Sequence, residues 1–316
     1  MNVVVRSVRP VAPRITSFEL VDPAGALLPP FTAGAHVDVL LPNGLSRSYS
    51  LVNDSRERDR YEIAVLREEA GGGGSAYMHE HVHAGDVLEI AGPQNRFEID
   101  EGGDHNILIA GGIGITPLLS MAARFEELGI DFALYVCSRS REETAYADAM
   151  LERFGERVRF HHTGGVRERR LDVVDLLRVR APGTHVYVCG PPDLIAAVRA
   201  AAREWPQGTV HFELFGPLHA AGGAAQENRP FDVHLRRRNM TLHVPADRSI
   251  LDVLTANGVR VRTVCNDGFC GTCTTRYVGG AVEHRDGVLG EDERANLLQV
   301  CVSRAQPGSD LLVLDL

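Results

Sequence analysis

The sequence contains no lysine, because all 33 of its basic residues are arginine. This absence excludes any mechanism that forms a Schiff base on a lysine amine. Acidic residues number 42, so the net charge is −9 at pH 7, which argues against a nucleic-acid partner. Apolar runs such as 107–110 and 311–314 are far too short to cross a membrane. We therefore expect a chain that binds neither nucleic acid nor membrane.

Cysteine is also scarce, with six residues in 316, and four of them fall into a single pattern. No disulfide framework can be drawn from the remaining two, and residues 1–6 lack the apolar core and cleavage site of a signal peptide. A reducing cytoplasm is the simplest expectation. The length and a hydrophobic content of 44% predict two or three domains, each with its own core.

The cysteine pattern is the most specific motif of the chain. Cys265, Cys270 and Cys273 follow the spacing Cys-x4-Cys-x2-Cys, and Cys301 comes after 27 further residues. This is the ligand spacing of a plant-type 2Fe–2S cluster, in which a tight loop supplies three thiolates and a distant segment the fourth. The alternatives are four buried structural cysteines or a zinc site, which usually shows two Cys-x2-Cys pairs. We predict the cluster, whose chemistry is the relay of single electrons.

The N-terminal third is predicted to be a small antiparallel barrel, from strand patterns at 35–41, 47–52 and 61–66. Alternation along the second strand puts Arg47 and Tyr49 on one face, and Ser48 and Ser50 on the other. An arginine beside an aromatic ring can clamp a phosphate against a planar cofactor, although an ordinary surface strand has the same composition.

A glycine-rich turn at 71–75 precedes a predicted helix at 76–82. Such a turn presents N–H groups to an anion, or else is a flexible loop. The helix carries the His-Glu-x-x-His pattern of zinc peptidases, from His79 to His83. We reject that interpretation because 84–86 stops the helix and no third ligand follows.

From residue 103 onwards, strands alternate with helices, as in a nucleotide-binding α/β domain. The apolar strand 106–110 runs into a glycine turn and a helix at 118–128, which together form a pyrophosphate cradle. The next strand ends at Arg139 and Arg141, which either hold a 2′-phosphate or are solvated. Strand 185–188 leads to Cys189, which lies at a ligand-binding edge or is simply a buried strand cysteine.

The last part of the chain begins after a segment, 217–230, that is rich in alanine and glycine and is predicted to be a tether. A hairpin at 231–235 and 241–244 turns through three arginines, 236–238. These arginines either dock an acidic partner or form a solvated turn. A helix at 249–257 and a closing strand at 311–314 flank the cysteine motif.

In this order the motifs Arg-x-Tyr-Ser, Gly-Gly-x-Gly-x-Thr-Pro, Cys-Gly-Pro and Cys-x4-Cys-x2-Cys resemble the phthalate dioxygenase reductase family, which includes vanillate demethylase reductases. The resemblance covers essentially the whole chain. It implies an antiparallel β-barrel FMN domain (1–102), a parallel-sheet α/β NAD domain (103–216), a linker (217–230) and a β-grasp plant-type ferredoxin domain (231–316).

The resemblance also implies the role of each site residue. Arg47 holds the flavin phosphate, Tyr49 packs on the isoalloxazine ring, and Ser50 lies near its N5. Phe215 takes the place of a terminal tyrosine that covers the flavin, and Glu213 that of its neighbouring acid. Ser50, Cys189 and Phe215 are thus implied at the reacting centre, and the four cysteines hold the cluster. The implied cofactor contacts are Arg47, Ser48, Tyr49, Ser50, Ala64, Val65, Leu66, Gly73, Gly74, Ser75, Gly112, Gly114, Thr116, Pro117, Cys189, Gly190 and Phe215.

The implied function is electron transfer from NADH through FMN and the 2Fe–2S cluster to a terminal oxygenase, expected to be of the Rieske type and to act on an aromatic or quaternary-amine substrate. The chain itself is expected to be a monomer. NADH follows from the family, whereas Arg139 and Arg141 favour NADPH. FMN is preferred because no aromatic-bearing insert for an adenine follows the glycine turn. The alternatives are an FAD-containing reductase that serves a haem or diiron monooxygenase, and a redox-sensing module without turnover.

Overall fold

The computed structural model describes most of the chain, in two compact units. The first unit is residues 1–215, and the second contains the described residues from 228 onwards. Within the described part of the chain, no helix is long and apolar enough to span a membrane. The described residues are 1–69, 73–215, 228–263, 268, 271, 273–286 and 289–316.

The first unit begins with a six-stranded antiparallel sheet. Its strands are β1 (Asn2–Ala12), β2 (Ile15–Val21), β3 (His36–Leu40), β4 (Ser46–Ser50), β5 (Tyr61–Leu66) and β6 (Val87–Gln94), with helix α1 (Gly74–His81) between β5 and β6. The strand order is β4-β3-β6-β1-β2-β5, so β4 and β5 are the two edges. Leu51, just after β4, forms an antiparallel bridge to Ile63 of β5, which brings these edges together. Closure of the sheet into a barrel stays a prediction.

The second half of this unit is a five-stranded parallel sheet, with helices between its strands. Its order is β11-β10-β7-β8-β9, and the chain reverses direction across the sheet between β7 and β10. Ligands bind at such a reversal, outside the carboxyl ends of the strands. The elements are β7 (His105–Gly111), a 3₁₀ turn (Gly112–Gly114), α2 (Ile115–Leu128), β8 (Asp131–Ser138), α3 (Ala147–Phe154), β9 (Val158–His162), α4 (Val173–Leu177), β10 (Thr184–Cys189), α5 (Pro192–Ala201) and β11 (Val210–Glu213).

The two sheets of the first unit share a hydrophobic core. Ile15, Val52 and Ala64 of the antiparallel half pack in one cluster with residues of α2 such as Ile115 and Leu119. β5 is buried on both faces for this reason, since Tyr61, Ile63 and Val65 belong to the core inside the antiparallel sheet. A strand covered on both faces is apolar throughout rather than alternating. The boundary predicted at residue 102 therefore lies within one compact unit, and it stays a prediction.

The second unit is an α+β ferredoxin-like fold. Its main sheet has the order β13-β12-β18-β14-β16, in which β12 and β18 are parallel. Ser249 and Asp252 form a capping box at the start of α6, which fixes where this helix begins. The elements are β12 (Phe231–Leu235), β13 (Met240–Val244), α6 (Ile250–Ala256), β14 (Thr274–Gly279), β15 (Val282–Glu283), α7 (Glu291–Arg294), β16 (Leu297–Gln299), β17 (Arg304–Ala305) and β18 (Leu311–Leu314).

Candidate functional site

Arg47 of β4 lies against the first residue of α1. A Cβ added to Gly74 would be 2.6 Å from Cγ of Arg47 and 2.7 Å from its Nε, so the arginine fills the space that a side chain would need. Gly73 is the N-cap residue before the helix, with a φ of 77° and no side-chain cap. A guanidinium group beside the N–H groups of a helix start suits an anion such as a phosphate.

Ser75, the second residue of α1, faces the chain that leaves β5. Its hydroxyl oxygen accepts a hydrogen bond from the N–H of Glu68 at 3.0 Å. This contact holds the helix start beside the β5 end, so the structure brings Arg47, Gly74 and Ser75 together, and their contact with a flavin phosphate stays a prediction. Gly71 and Gly72 of the predicted turn lie outside the described residues.

Tyr49 and Ser48 point to opposite faces of β4. Tyr49 packs against the core of the antiparallel sheet. Its buried hydroxyl has no hydrogen-bond partner in the described structure, and burial raises its pKa to about 12. A ring held in this way, with an unmatched polar tip, suits a planar cofactor that also offers a hydrogen bond. Ser48 instead bonds to Asp38 of β3, and its side chain is not brought to Arg47 and Tyr49.

Ala64, Val65 and Leu66 lie on an edge strand. Apart from the bridge of Leu51 to Ile63, β5 pairs with β2 alone among the described strands, so alternate N–H and C=O groups of its second half point away from the sheet. The carbonyl oxygen of Val65 is bonded to the imidazole of His79 on α1, at 2.9 Å. The remaining edge groups of this strand are of the kind that can hydrogen-bond the polar rim of a flavin ring.

The His-Glu-x-x-His pattern is not a metal site in this fold. His79 contacts Thr16 and the Val65 carbonyl, while His83 lies beyond the end of α1 and is exposed. Across the described ranges there is no group of three or more potential ligands that could hold a metal ion. The cluster loop itself falls mainly outside those ranges.

Three strand ends meet between the two halves of the first unit. Cys189 ends β10 and is directly paired with Glu213, which ends β11. Burial raises the pKa of the Glu213 carboxyl to about 8, and hydrogen bonding by the Ser50 hydroxyl, at the end of β4, lowers it in part. Oε2 of Glu213 is buried without a partner among the described residues. Burial, and then the charge of Glu213, raise the pKa of the Cys189 thiol well above its usual value.

The glycine turn after β7 packs directly on the Cys189 turn. A Cβ on Gly114 would be 2.2 Å from the carbonyl oxygen of Cys189, and one on Gly190 would be 2.8 Å from Cα of Gly111. Gly114 and Gly190 are therefore required by this backbone contact. Gly112 differs, because its φ is +55° and nothing lies within 4 Å of its Cβ position. Its open side is where a dinucleotide can approach the backbone.

A cavity of about 490 Å³ opens at the carboxyl edge of the parallel sheet. Gly112, Arg139 and Glu143 are among the residues that line it. Arg141 does not line it, because its guanidinium pairs with Asp148 at 2.5 Å. No sequence motif points to Glu143, because this acid comes five residues after the end of β8, in the loop before α3.

Thr116, Pro117 and Phe215 complete the predicted set. Helix α2 begins at Ile115, earlier than predicted, so Thr116 and Pro117 lie in its first turn. A proline is tolerated there because those N–H groups have no partner within the helix. The Thr116 hydroxyl donates to the carbonyl of Ile113 at 3.0 Å. Phe215 follows β11 by two residues, with 38% of its surface exposed.

Cys273 and Cys301 lie side by side in the second unit. Both are buried, and their sulfur atoms are 3.1 Å apart, which is longer than the roughly 2.05 Å of a disulfide. Two thiols this close can ligate one iron once they are deprotonated. The amide oxygen of Gln299 lies 2.9 Å from the sulfur of Cys273. The other two predicted ligands, Cys265 and Cys270, lie outside the described residues.

Three family descriptions match successive parts of the chain. They are an oxidoreductase FAD-binding domain over residues 8–99, an oxidoreductase NAD-binding domain over 108–200 and a 2Fe-2S iron-sulfur cluster binding domain over 233–306. Together they cover most of both units.

Relatives match over nearly the full length. The chain is 47% identical to the phthalate 4,5-dioxygenase oxygenase reductase subunit of Pseudomonas putida, over 97% of this chain and 94% of that protein. It is 41% identical to the vanillate O-demethylase oxidoreductase of a Pseudomonas species, over 100% of both chains. The solved structure of phthalate dioxygenase reductase is 44% identical to this chain and has a TM-score of 0.71. The match covers 100% of this chain and 98% of that one. That structure is described as a modular structure for electron transfer from pyridine nucleotides to [2Fe-2S].

The three matched domain descriptions thus follow one another along the chain in the order that the sequence motifs predict. The chain belongs to the phthalate dioxygenase reductase family.

Proposed function

We propose that this chain takes electrons from NADH and passes them through FMN and a 2Fe–2S cluster to a Rieske-type oxygenase. The observation that carries the proposal is the meeting of Ser50, Glu213 and Cys189 where the two halves of the first unit join. A strand of the flavin half and two strands of the nucleotide half converge there, which is the arrangement that hydride transfer between two bound cofactors needs.

In this proposal, the nucleotide half binds and orients the reduced nicotinamide. The open side of Gly112 accepts the dinucleotide backbone, and the turn at Cys189 supplies an uncharged wall beside the nicotinamide. Cys189 stays a neutral thiol because burial keeps its pKa high. Below about pH 8 the Glu213 carboxyl is neutral, so it adds no net charge where the two halves join. A bound flavin supplies the conversion of one hydride into two single electrons.

FMN is proposed because the anion site is short. Arg47 and the α1 start converge on one position, and α1 follows at once with no described segment that could cradle an adenine. The specific rival is FAD, favoured by the FAD-binding description of residues 8–99. Release of the flavin by heat, followed by chromatography against both standards, decides between them. FAD as the released species would contradict the proposal.

NADH is proposed over NADPH because Glu143 lines the cavity as well as Arg139, while Arg141 is engaged by Asp148. A carboxylate can accept hydrogen bonds from ribose hydroxyls, and it repels a 2′-phosphate. The Glu143→Gln variant should raise kcat/KM for NADPH relative to NADH by roughly tenfold. An unchanged ratio would remove Glu143 from the choice of nucleotide.

The order of electron transfer is tested with the Cys273→Ser variant. NADH-dependent reduction of cytochrome c, which needs the cluster, should be lost. Reduction of ferricyanide by the flavin should continue at the rate of the parent protein. Loss of both activities in a protein that retains its flavin would contradict the proposed order.

The finer architecture is also proposed. The boundaries are 1–102, 103–216, a linker at 217–230 and 231–316, and the chain is proposed to be a monomer. Limited proteolysis should cut first within 217–230, and light scattering should give the monomer mass. A first cut near residue 102, or a dimer mass, would contradict these assignments.

A further inference from the structure

The second unit carries its surface arginines close to the predicted cluster. We name six of them the basic rim: Arg236, Arg237, Arg238, Arg260, Arg262 and Arg276. All six are exposed. Residues 1–230 have 31 acids and 23 arginines, a net charge of −8, whereas residues 231–316 have 11 and 10, a net charge of −1. The second unit therefore carries little of the negative charge of the chain, and its arginines are unevenly placed.

Arg260 and Arg262 lie on an extended segment that leads into the cysteine motif. Val259 is buried and Val261 packs on the core, so the residues between and after them point outwards. Arg262 is three residues before Cys265. Three residues of chain span at most about 11 Å, so Arg262 stays near any cluster that Cys265 ligates, and Arg260 is two residues further away, within at most about 18 Å. Neither forms an ion pair with a carboxylate in the described part of the chain.

The hairpin arginines reach the same end of the sheet by strand register. β12 and β18 run in parallel and end together at the pair Leu235 and Leu314, just before the turn at 236–239. Tyr277 of β14 is level with Leu314. The start of β14 therefore extends past that level, with Thr274 paired to Gln299. Cys273 and Cys301 follow at this end, so the arginine turn and two cluster ligands share it.

A direct chain of contacts links these groups. Asp315 pairs with both Arg236 and Arg237, at 2.5 and 2.8 Å. Its N–H donates to the carbonyl of Arg276, at 2.8 Å. Arg276 is in turn three residues after Cys273, which is roughly 10 Å of strand. Among the described residues, Asp315 is the acid that pairs with arginines of the basic rim, and it pairs with two of the six.

We propose that the basic rim is the docking surface for the oxygenase, and that it fits a patch of aspartate and glutamate side chains around the electron-entry site of that partner. This inference rests on the proposed function. Electrons must leave near the cluster, and a cationic surface there steers and orients an acidic acceptor. The net acidity of residues 1–230 repels the same acceptor, which favours contact at the rim.

The test uses two acceptors with the same fold and opposite charge, native cytochrome c, which is basic, and succinylated cytochrome c, which is acidic. In the holoenzyme, the Arg260→Glu/Arg262→Glu variant should reduce succinylated cytochrome c roughly tenfold more slowly at low ionic strength. Native cytochrome c should be reduced no more slowly than by the parent protein. With either acceptor, any difference in rate between the variant and the parent protein should vanish at about 1 M salt, where the screening length is roughly 3 Å.

A matched control carries the same change of charge elsewhere. Arg178 and Arg203 are exposed arginines of the first unit, and Arg178→Glu/Arg203→Glu should leave both rates unchanged. The Arg260→Lys/Arg262→Lys variant should keep the parent rates. The proposal would be overturned if Arg178→Glu/Arg203→Glu slowed the reduction of succinylated cytochrome c as much as the rim variant does. It would also be overturned if the rim variant changed the rates with both acceptors equally.

Binding without turnover gives an independent readout. Surface plasmon resonance on immobilised succinylated cytochrome c should show a roughly tenfold weaker, salt-sensitive affinity for the rim variant.

Flavin and cluster content are measured in each variant by absorbance. If Arg260→Glu/Arg262→Glu fails to load its cluster, the same measurements are made on the Arg238→Glu variant, because this hairpin residue is outside the cysteine segment. Absence of any NADH-driven cytochrome c reduction by the parent protein would refute the proposed function, whereas turnover and binding that ignore acceptor charge would refute the rim alone.

Discussion

The hydroxyl of Tyr146 donates a hydrogen bond to Oε1 of Glu62 at 2.9 Å, across the seam between the two halves of the first unit. Glu62 is buried on β5, and Tyr146 immediately precedes α3 in a left-handed conformation, with φ at 60°. Arg153 of α3 makes a parallel contact, since its guanidinium lies 3.0 Å from the buried carboxylate of Asp54. One helix of the nucleotide half therefore supplies donors to two buried acids of the flavin half, beside the shared core.

The Tyr146→Phe variant tests this seam. Glu62 keeps its bonds to Ser17 and Arg60 but loses one donor, so the free energy of unfolding should fall by about 1–2 kcal/mol. Denaturant unfolding of the full chain, followed by flavin fluorescence, measures the change. Tyr77→Phe is the control, because no described group bonds to the Tyr77 hydroxyl. Equal stability of the Tyr146 variant and the parent protein would show that the bond contributes nothing.

The proposed phosphate-binding role of Arg47 is tested with Arg47→Ala. Loss of a charge-assisted contact to a phosphate costs about 1.5–3 kcal/mol, so the Kd for FMN should rise roughly 10- to 100-fold. Fluorescence titration of the flavin-free protein measures this affinity. Arg67→Ala is matched to it, since Arg67 follows β5 and pairs with Glu80 of α1 at 2.5 Å, away from the helix start. An equal loss of affinity in both variants would indicate a general charge effect and not a phosphate clamp.

Glu213 should make stability depend on pH. Burial raises its pKa from 4.5 to about 8 in the folded chain, so between these values the folded state holds more protons than the unfolded state. Stability contributed by this group is therefore present at low pH and is lost as the pH rises towards about 8. His211, whose pKa is lowered to about 4 by burial, acts in the opposite direction at lower pH. The difference between the parent protein and Glu213→Gln isolates the carboxyl.

The measured quantity is the melting temperature of both proteins from pH 5 to pH 9. The Gln variant should gain stability relative to the parent as the pH rises, with the gain levelling off above about pH 8. In the Ser50→Ala background the same transition should move to higher pH, because the Ser50 hydrogen bond lowers the pKa of Glu213. A difference curve that is flat with pH would show that Glu213 has an ordinary pKa.

Local patterns in the sequence predicted the framework of this protein well. Strands 61–66 and 311–314 have the predicted bounds, because apolar runs between turn residues leave little choice of period. A glycine turn ahead of α1 was also predictable, since Gly74 and Arg47 belong to motifs with a physical requirement, and its role in binding a phosphate stays a prediction. The nearness of the two could not be predicted, because it depends on the pairing of β3 with β4 and on the path of α1.

Contacts that depend on the tertiary fold were not predictable from the sequence. Glu62 and Tyr146 are 84 residues apart and carry no motif. In the sequence, Gly112 and Gly114 look alike. The packing of the Cys189 turn distinguishes them, because it leaves no room for a side chain at Gly114, whereas the Cβ position of Gly112 is open. The burial of both faces of β5 likewise follows from the shared core, which no local pattern reveals.

Gln299 should tune the reduction potential of the cluster. Its side chain is fully buried, with Oε1 facing the sulfur of Cys273 and Nε2 donating to the Thr274 hydroxyl oxygen at 2.5 Å. A thiolate ligand cannot donate a hydrogen bond, so with the cluster in place the amide should turn over and direct its N–H to the sulfur. Hydrogen bonds to the ligating sulfurs stabilise the reduced, more negative state. The Gln299→Leu variant should therefore have a potential lower by on the order of tens of millivolts.

A redox titration followed by electron paramagnetic resonance measures this potential directly. Gln306→Leu is the control, because its amide bonds to the carbonyl of Val282, away from the cysteines, and its potential should equal that of the parent protein. The NADH-dependent reduction of the flavin should be the same in all three proteins, since the change lies at the cluster. A potential that is unchanged or higher in Gln299→Leu would show that the amide keeps its oxygen towards the sulfur.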